Sequence, residues 1–171
     1  MGLVQASPKG LIKDGKPFVP WGANYFVPGT GWAPQIWKQF DEQRAEDDFS
    51  RMEELGVNVV RVFATWQSFV ASPSAVNEEG FRKFDRMLEI ASRHGILLHP
   101  TGPDHWEGQP EGLRGHSDYV SDETLLTGAE TYWRTISERY KDDERIFAFD
   151  IPYDVHDFTH IGRITPFIHN G

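Results

Sequence analysis

Apolar residues in this chain follow two alternating rhythms. Between Asp41 and Leu55, Ala45, Phe49 and Met52 recur at i, i+4 and i+7 among mostly charged neighbours, the spacing that lines one face of a helix, and Gly56 supplies its stop. Val57 to Phe63 then runs almost unbroken in β-branched and apolar residues, as expected of a strand covered on both faces in a parallel sheet. The pair repeats. Asn77 is placed to cap a helix over 78–94 that carries Phe81, Phe84, Leu88 and Ala91 on one face and ends at Gly95, and Ile96 to Pro100 forms the next strand. Ser121 is placed to cap a third helix, with Asp122 and Glu123 suited to its N-terminal dipole and Leu125, Ala129, Trp133, Ile136 and Tyr140 as its stripe. Ile146 to Phe149 follows as a strand, and Pro152 ends its capacity for ladder bonding. Ahead of these units, Asp14-Gly15 between short apolar pieces signals a hairpin over 10–18. Phe18 to Asn24 reads as a first strand, edge-like or bulged because of Pro20 and Gly22, and leads into an aromatic, glycine-rich loop over 25–32.

The predicted order is a hairpin, then β, α, β, α, β, α, β and a tail. This makes one domain over 1–171, with the hairpin at 10–18, four βα units over 18–157 and an irregular tail over 158–171. Strands alternating with amphipathic helices mean parallel strands joined by right-handed crossovers, either an open doubly wound sheet or part of a barrel. No Gly-x-Gly-x-x-Gly follows the first strand and no Gly-x4-Gly-Lys-Ser/Thr occurs anywhere, so a nucleotide fold has no positive support. Polar and aromatic residues gather instead after every strand: Asn24 and Tyr25, Thr65 and Trp66, then Asp104, His105 and Trp106, then Asp154 and His156. That distribution belongs to a barrel enzyme, and the predicted fold is a TIM-barrel type α/β structure, a (β/α)4 half-barrel with an N-terminal hairpin. A complete barrel takes about 250 residues. Two open sheet edges are therefore expected, completed by a second copy in a homodimer or by the remainder of a longer chain.

Charge and composition narrow the chemistry. A formal charge of −9 argues against a nucleic-acid partner, which needs clustered Lys and Arg. No segment is long and apolar enough to span a bilayer, and the opening residues lack a basic leader followed by an apolar stretch, which fits a trimmed secreted form or a cytoplasmic one. The absence of cysteine excludes disulfides, thiolate metal sites and a thiol nucleophile. Six tryptophans imply either a large core or a surface that stacks flat, weakly polar ligands. Trp32, Trp37, Trp66 and Trp106 each suit a sugar platform and each suit core packing. Arg61 interrupts its strand, and a guanidinium there must find an anion or hydrogen-bond partners. Asp154, His156, Asp157 and His160, with His105, have metal-ligand chemistry but no established ligand spacing, so no metal and no cofactor are assigned. His99, inside a strand, reads as a core histidine, and no Gly-x-Ser-x-Gly elbow appears.

Several stretches together carry a family resemblance. Trp21 to Tyr25, Gly56 to Phe63, Gly102 to Trp106, and Arg139 to Asp143 through Asp150 resemble the first half of a retaining β-glycoside hydrolase barrel of the cellulase and mannanase type, over roughly 10–157. The resemblance implies an oligo- or polysaccharide partner and a site at the mouth of the strands. In that family the second-strand arginine supports the active-site carboxylates, which matches Arg61, and an Asn-Glu-Pro triplet ends the fourth strand with its glutamate as general acid and base. This chain reads Tyr153-Asp154-Val155 there, so Asp154 takes the acid/base position. The family nucleophile comes from the seventh strand, beyond the four predicted here, and retaining hydrolysis needs its two carboxyl groups about 5 to 5.5 Å apart. The implied substrate-binding set is Asn24, Tyr25, Trp66, Asp104, His105, Trp106, Tyr153 and His156, with Asp154 and Arg61 as the catalytic pair. The alternative is a non-catalytic half-barrel that binds carbohydrate or a protein.

Overall fold

The computed structural model describes residues 2–31, 33–72, 75–103, 108–116 and 121–151. The chain opens with an antiparallel sheet of β1 (Gln5–Ser7), β2 (Gly10–Lys13) and β3 (Lys16–Phe18). Lys13 pairs with Lys16, so Asp14 and Gly15 form a two-residue turn. Both have positive φ, 51° and 74°, the conformation that Asp-Gly accepts at low cost. The predicted hairpin is therefore present, extended by a third strand. Phe18 packs on Phe147 at 6.0 Å between ring centroids, which sets this small sheet against the start of the fourth barrel segment.

The central sheet is parallel. β4 (Gly22–Asn24) pairs with β5 (Val59–Phe63), and β5 pairs with β8 (Leu97–Thr101), in the register Gly22, Val59, Leu97 and then Asn24, Arg61, His99. The first barrel strand is shorter than the predicted 18–24, because Phe18 belongs to the hairpin sheet. The predicted fourth strand is reduced to two parallel bridges, Leu98 with Ile146 and Thr101 with Asp150. Among the described residues β4 pairs with β5 alone and the 146–150 segment with β8 alone, so the barrel is not closed.

The helices cover one face of this sheet. α2 (Glu42–Glu54) is capped by Asp41, whose side chain accepts from the Arg44 N–H. Gly56 follows it at φ 74°. α4 (Glu78–Arg93) is capped by Asn77, and α5 (Glu123–Tyr140) by Asp122 rather than by the predicted Ser121. The Asp122 carboxylate accepts from the N–H groups of Thr124 and Leu125 and also meets the His116 ring, which ties the preceding loop to the helix start. Val60, Val62, Leu98 and Ile146 point from the sheet into a buried cluster with Phe49, Leu88, Trp133 and Ile136. Burial of this face supplies most of the fold's stability, at about 25 cal/mol per Å² of apolar surface removed from water.

Several short elements among the described residues were not expected from the sequence: α1 (Ala33–Lys38), α3 (Trp66–Phe69) and the pair β6 (Val70–Ser72) with β7 (Ala75–Val76) among them. They fold over the start of α4, where Gly80 sits so close to the Ser68 carbonyl that any side chain would collide with it. No helix among the described residues is long and apolar enough to cross a membrane.

Candidate functional site

Register decides which side chains share the inner face. Partners across a parallel pair project to the same side, so Asn24, Arg61 and His99 form one row pointing away from the helices, and Phe63 and Thr101 lie two residues further along it. Arg61 finds both an anion and a hydrogen-bonding hydroxyl. Its Nε donates to Asp150 Oδ2 at 2.9 Å and to Thr101 Oγ1 at 2.9 Å, and its Nη2 donates to Asp150 Oδ2 at 2.6 Å. The Thr101 hydroxyl also donates to the Asp150 carboxylate, so cation, hydroxyl and carboxylate close a three-membered set. The guanidinium carbon lies 5.1 Å from the Phe63 ring centroid, adding a cation–π contact. With 28% and 31% of their side-chain surfaces exposed, Arg61 and Asp150 are neither in bulk water nor in a dry core. The worth of such a half-buried pair depends on its geometry.

His99 lies in the same row, its ring tilted against Phe147 at 5.4 Å. Burial lowers its pKa, and the opposing influences of Asp150, which raises it, and Arg61, which lowers it, are secondary. The ring is therefore neutral around neutral pH and adds no charge to the row.

The other predicted site residues divide into three groups. Asn24 is exposed at the end of β4, level with Arg61, where the sequence places it. Tyr25 and Trp66 are corrected: both lie in the core rather than at a sugar-stacking surface. Tyr25 follows Asn24 but turns to the helix side, packs on Phe49 at 5.5 Å and donates its hydroxyl to Asp48 at 3.2 Å. Burial, reinforced by the Asp48 charge, pushes its pKa well above the usual tyrosine range. Trp66 has no exposed surface, packs against Tyr132, and approaches Gly128 closely enough that a Cβ there would come within 2.8 Å of its ring. Trp37 is likewise a core residue, its Nε1 donating to the Phe63 carbonyl at 2.7 Å. Asp104, His105, Trp106, Tyr153, Asp154 and His156 lie outside the described residues, as do Trp32, Asp157 and His160.

Two residues of the inner row were missed in the sequence, Thr101 and Asp150. The need for an anion or hydrogen-bond partners beside Arg61 was legible. The identity of that anion was not, because 89 positions separate the pair.

Known proteins share this architecture. The chain superposes on an exo-β-1,4-mannosidase from Opitutaceae bacterium strain TAV5 with a TM-score of 0.76 at 22% identity, covering 90% of this chain and 30% of that one. It superposes on an endo-1,4-β-mannanase from Rhizomucor miehei with a TM-score of 0.70 at 23% identity, covering 90% of this chain and 49% of that one. In sequence it is 22% identical over 177 residues to a probable mannan endo-1,4-β-mannosidase A from Aspergillus flavus, covering 86% of this chain and 46% of the relative. The chain thus spans less than half the length of each of these relatives, and its open sheet covers only part of their fold. The family described as cellulase (glycosyl hydrolase family 5) matches residues 11–155, nearly the whole of the barrel-type region, and the chain belongs to that family.

Proposed function

We propose that the chain is the N-terminal half of a retaining glycosidase acting on β-linked glycans, with Asp154 as general acid and base and Arg61 holding and charge-tuning the carboxylate side of the site. The observation that carries this proposal is the inward Arg61, fixed by Asp150 and Thr101 at the C-terminal end of the strands, where barrel enzymes place their chemistry. The mannan-directed names of the relatives support mannan or a related β-glycan as the substrate class. Asn24 would then contact the sugar from the first strand, and Asp104, His105, Trp106, Tyr153 and His156 from the later mouth loops.

Turnover by this chain is expected to be slow. An aspartate at the acid/base position is one methylene shorter than the family's glutamate, and a misplacement of about 1 Å costs roughly a hundredfold in rate. The second carboxylate comes from strands beyond those described here. The test is release of reducing sugar from a panel of β-glucans and mannans, followed by Asp154→Ala. Loss of release in the variant is expected; unchanged release removes Asp154 from the acid/base role.

The open edges favour a second reading, a half-barrel that binds glycan without cleaving it and pairs with a second copy. β4 is exposed along its length, Trp21 just before it is 65% exposed, and an apolar groove of about 420 Å³ lined by Leu3, Leu11, Phe147 and Phe149 adjoins the other edge. Quenching of tryptophan fluorescence by mannohexaose without sugar release, together with a dimer mass by light scattering, would support it. A monomer at all concentrations would remove the pairing.

A further inference from the structure

Between the two bridges of the fourth segment, five residues, Ile146 to Asp150, stand against four of β8, Leu98 to Thr101. The hydrogen bonds locate the extra residue. Phe147 N–H donates to the Leu98 carbonyl at 2.7 Å, and a regular parallel ladder would next bring Phe149 N–H to the Pro100 carbonyl. Asp150 N–H takes that acceptor instead, at 2.9 Å. The rings agree: Phe147 meets His99 and Phe18 on the inner face, whereas Phe149 meets Trp133 of α5 on the helix side at 6.0 Å. Strict alternation from Phe147 would turn Phe149 inward and Asp150 toward the apolar helices. The slip at Ala148 is a one-residue bulge, a device that re-aims a side chain.

We propose that Asp150 is a positioning residue: the bulge at Ala148 turns its carboxylate inward, where with Thr101 it fixes the Arg61 guanidinium at the mouth. The role of Arg61 in glycan cleavage rests on the function proposed above; what holds Arg61 does not. Asp150 touches no reacting atom, and its effect passes through the arginine. The two bonds to one carboxylate oxygen and the third to Thr101 Oγ1 restrict the planar guanidinium to one orientation.

The experiment is NMR of the Arg61 Nε–Hε group in the full chain, assigned by its loss in Arg61→Lys. In the wild type this signal is expected to be exchange-protected and displaced from those of the exposed arginines. In Asp150→Asn, Hε exchange should rise about tenfold, the scale of a lost charge-assisted bond, while Asp150→Glu restores part of the protection. Thr101→Val keeps the carboxylate and should give a smaller rise, and it serves as the decisive variant if Asp150→Asn does not fold. An Arg61 signal unchanged in the folded variants overturns the proposal, even if the melting temperature falls. Where the wild type cleaves mannohexaose, Asp150→Asn should lower kcat about tenfold or more with KM nearly constant, and an unchanged kcat overturns the positioning role. If the wild type does not cleave it, the proposed hydrolysis fails while the NMR result still decides what holds Arg61.

Discussion

The two faces of one short sheet differ in almost every respect although they are made from alternate residues of the same strands. On the helix side, Val60, Val62, Leu98 and Ile146 are apolar, buried and enclosed by α2, α4 and α5. On the inner side, Asn24, Arg61, His99, Thr101 and Asp150 are polar, and Arg61, Thr101 and Asp150 are linked by directed bonds. Packing on the first face is non-directional and tolerates substitutions that conserve volume, whereas the second requires particular atoms at particular distances. The apolar packing therefore resides on one face and the candidate site on the other, and the bulge at Ala148 is where the chain moves a residue from the first face to the second.

Substitutions on the two faces should consequently separate stability from function. The largest stability effect is expected from Leu98→Ala, which empties a fully buried position on the helix side and should cost about 2 to 5 kcal/mol in urea unfolding. Arg61 Hε protection should persist in that variant wherever it remains folded. Arg61→Leu leaves the Asp150 carboxylate without its cation and should cost about 1 to 3 kcal/mol, less than Leu98→Ala, while removing the glycan binding proposed above. A reversal of that order would mean that the inner row holds the fold together and would break the contrast between the faces.

A smaller effect sharpens the comparison through two histidines. His94, at the end of α4, lies between Glu53 on Nδ1 at 2.8 Å and Glu46 on Nε2 at 2.9 Å, and these bonds raise its pKa, the one to Glu53 most. A base whose pKa is raised on folding stabilises fully below its unfolded value of about 6.5, and that contribution disappears as pH rises through the folded value. His99 on the inner face is lowered by burial, so its sign is opposite: nothing is lost above about pH 6.5, and stability falls as pH drops below it. Unfolding of His94→Gln and His99→Gln measured from pH 5 to 8 should show the first variant losing stability mainly on the acid side and the second losing acid sensitivity. Parallel pH profiles for the two variants would contradict this assignment.

The parts of the molecule that were legible in the sequence share one property: their signal is local and repeated. The three long helices show several turns of the same stripe, their caps sit one residue outside it, and Asp14-Gly15 specifies its turn by backbone conformation alone. Ser121 and Asp122 are both good caps; the structure uses Asp122, which also meets His116, a contact that no helix stripe contains. The short α1, α3 and β6–β7 elements were missed because six or fewer residues cannot display a period. Tyr25 and Trp66 were misplaced because an aromatic residue after a strand has the same composition whether it turns into the core or toward a ligand.

By itself, the sequence determined the alternation of strands with helices, the parallel barrel-type fold and the requirement that Arg61 meet an anion or hydrogen-bond partners, because each follows from residue pattern or from the cost of burying a charge. Only the tertiary structure decided that this anion is Asp150. A one-residue slip in pairing exchanges the two faces of a strand, and pairing is a relation between distant segments that no single segment records.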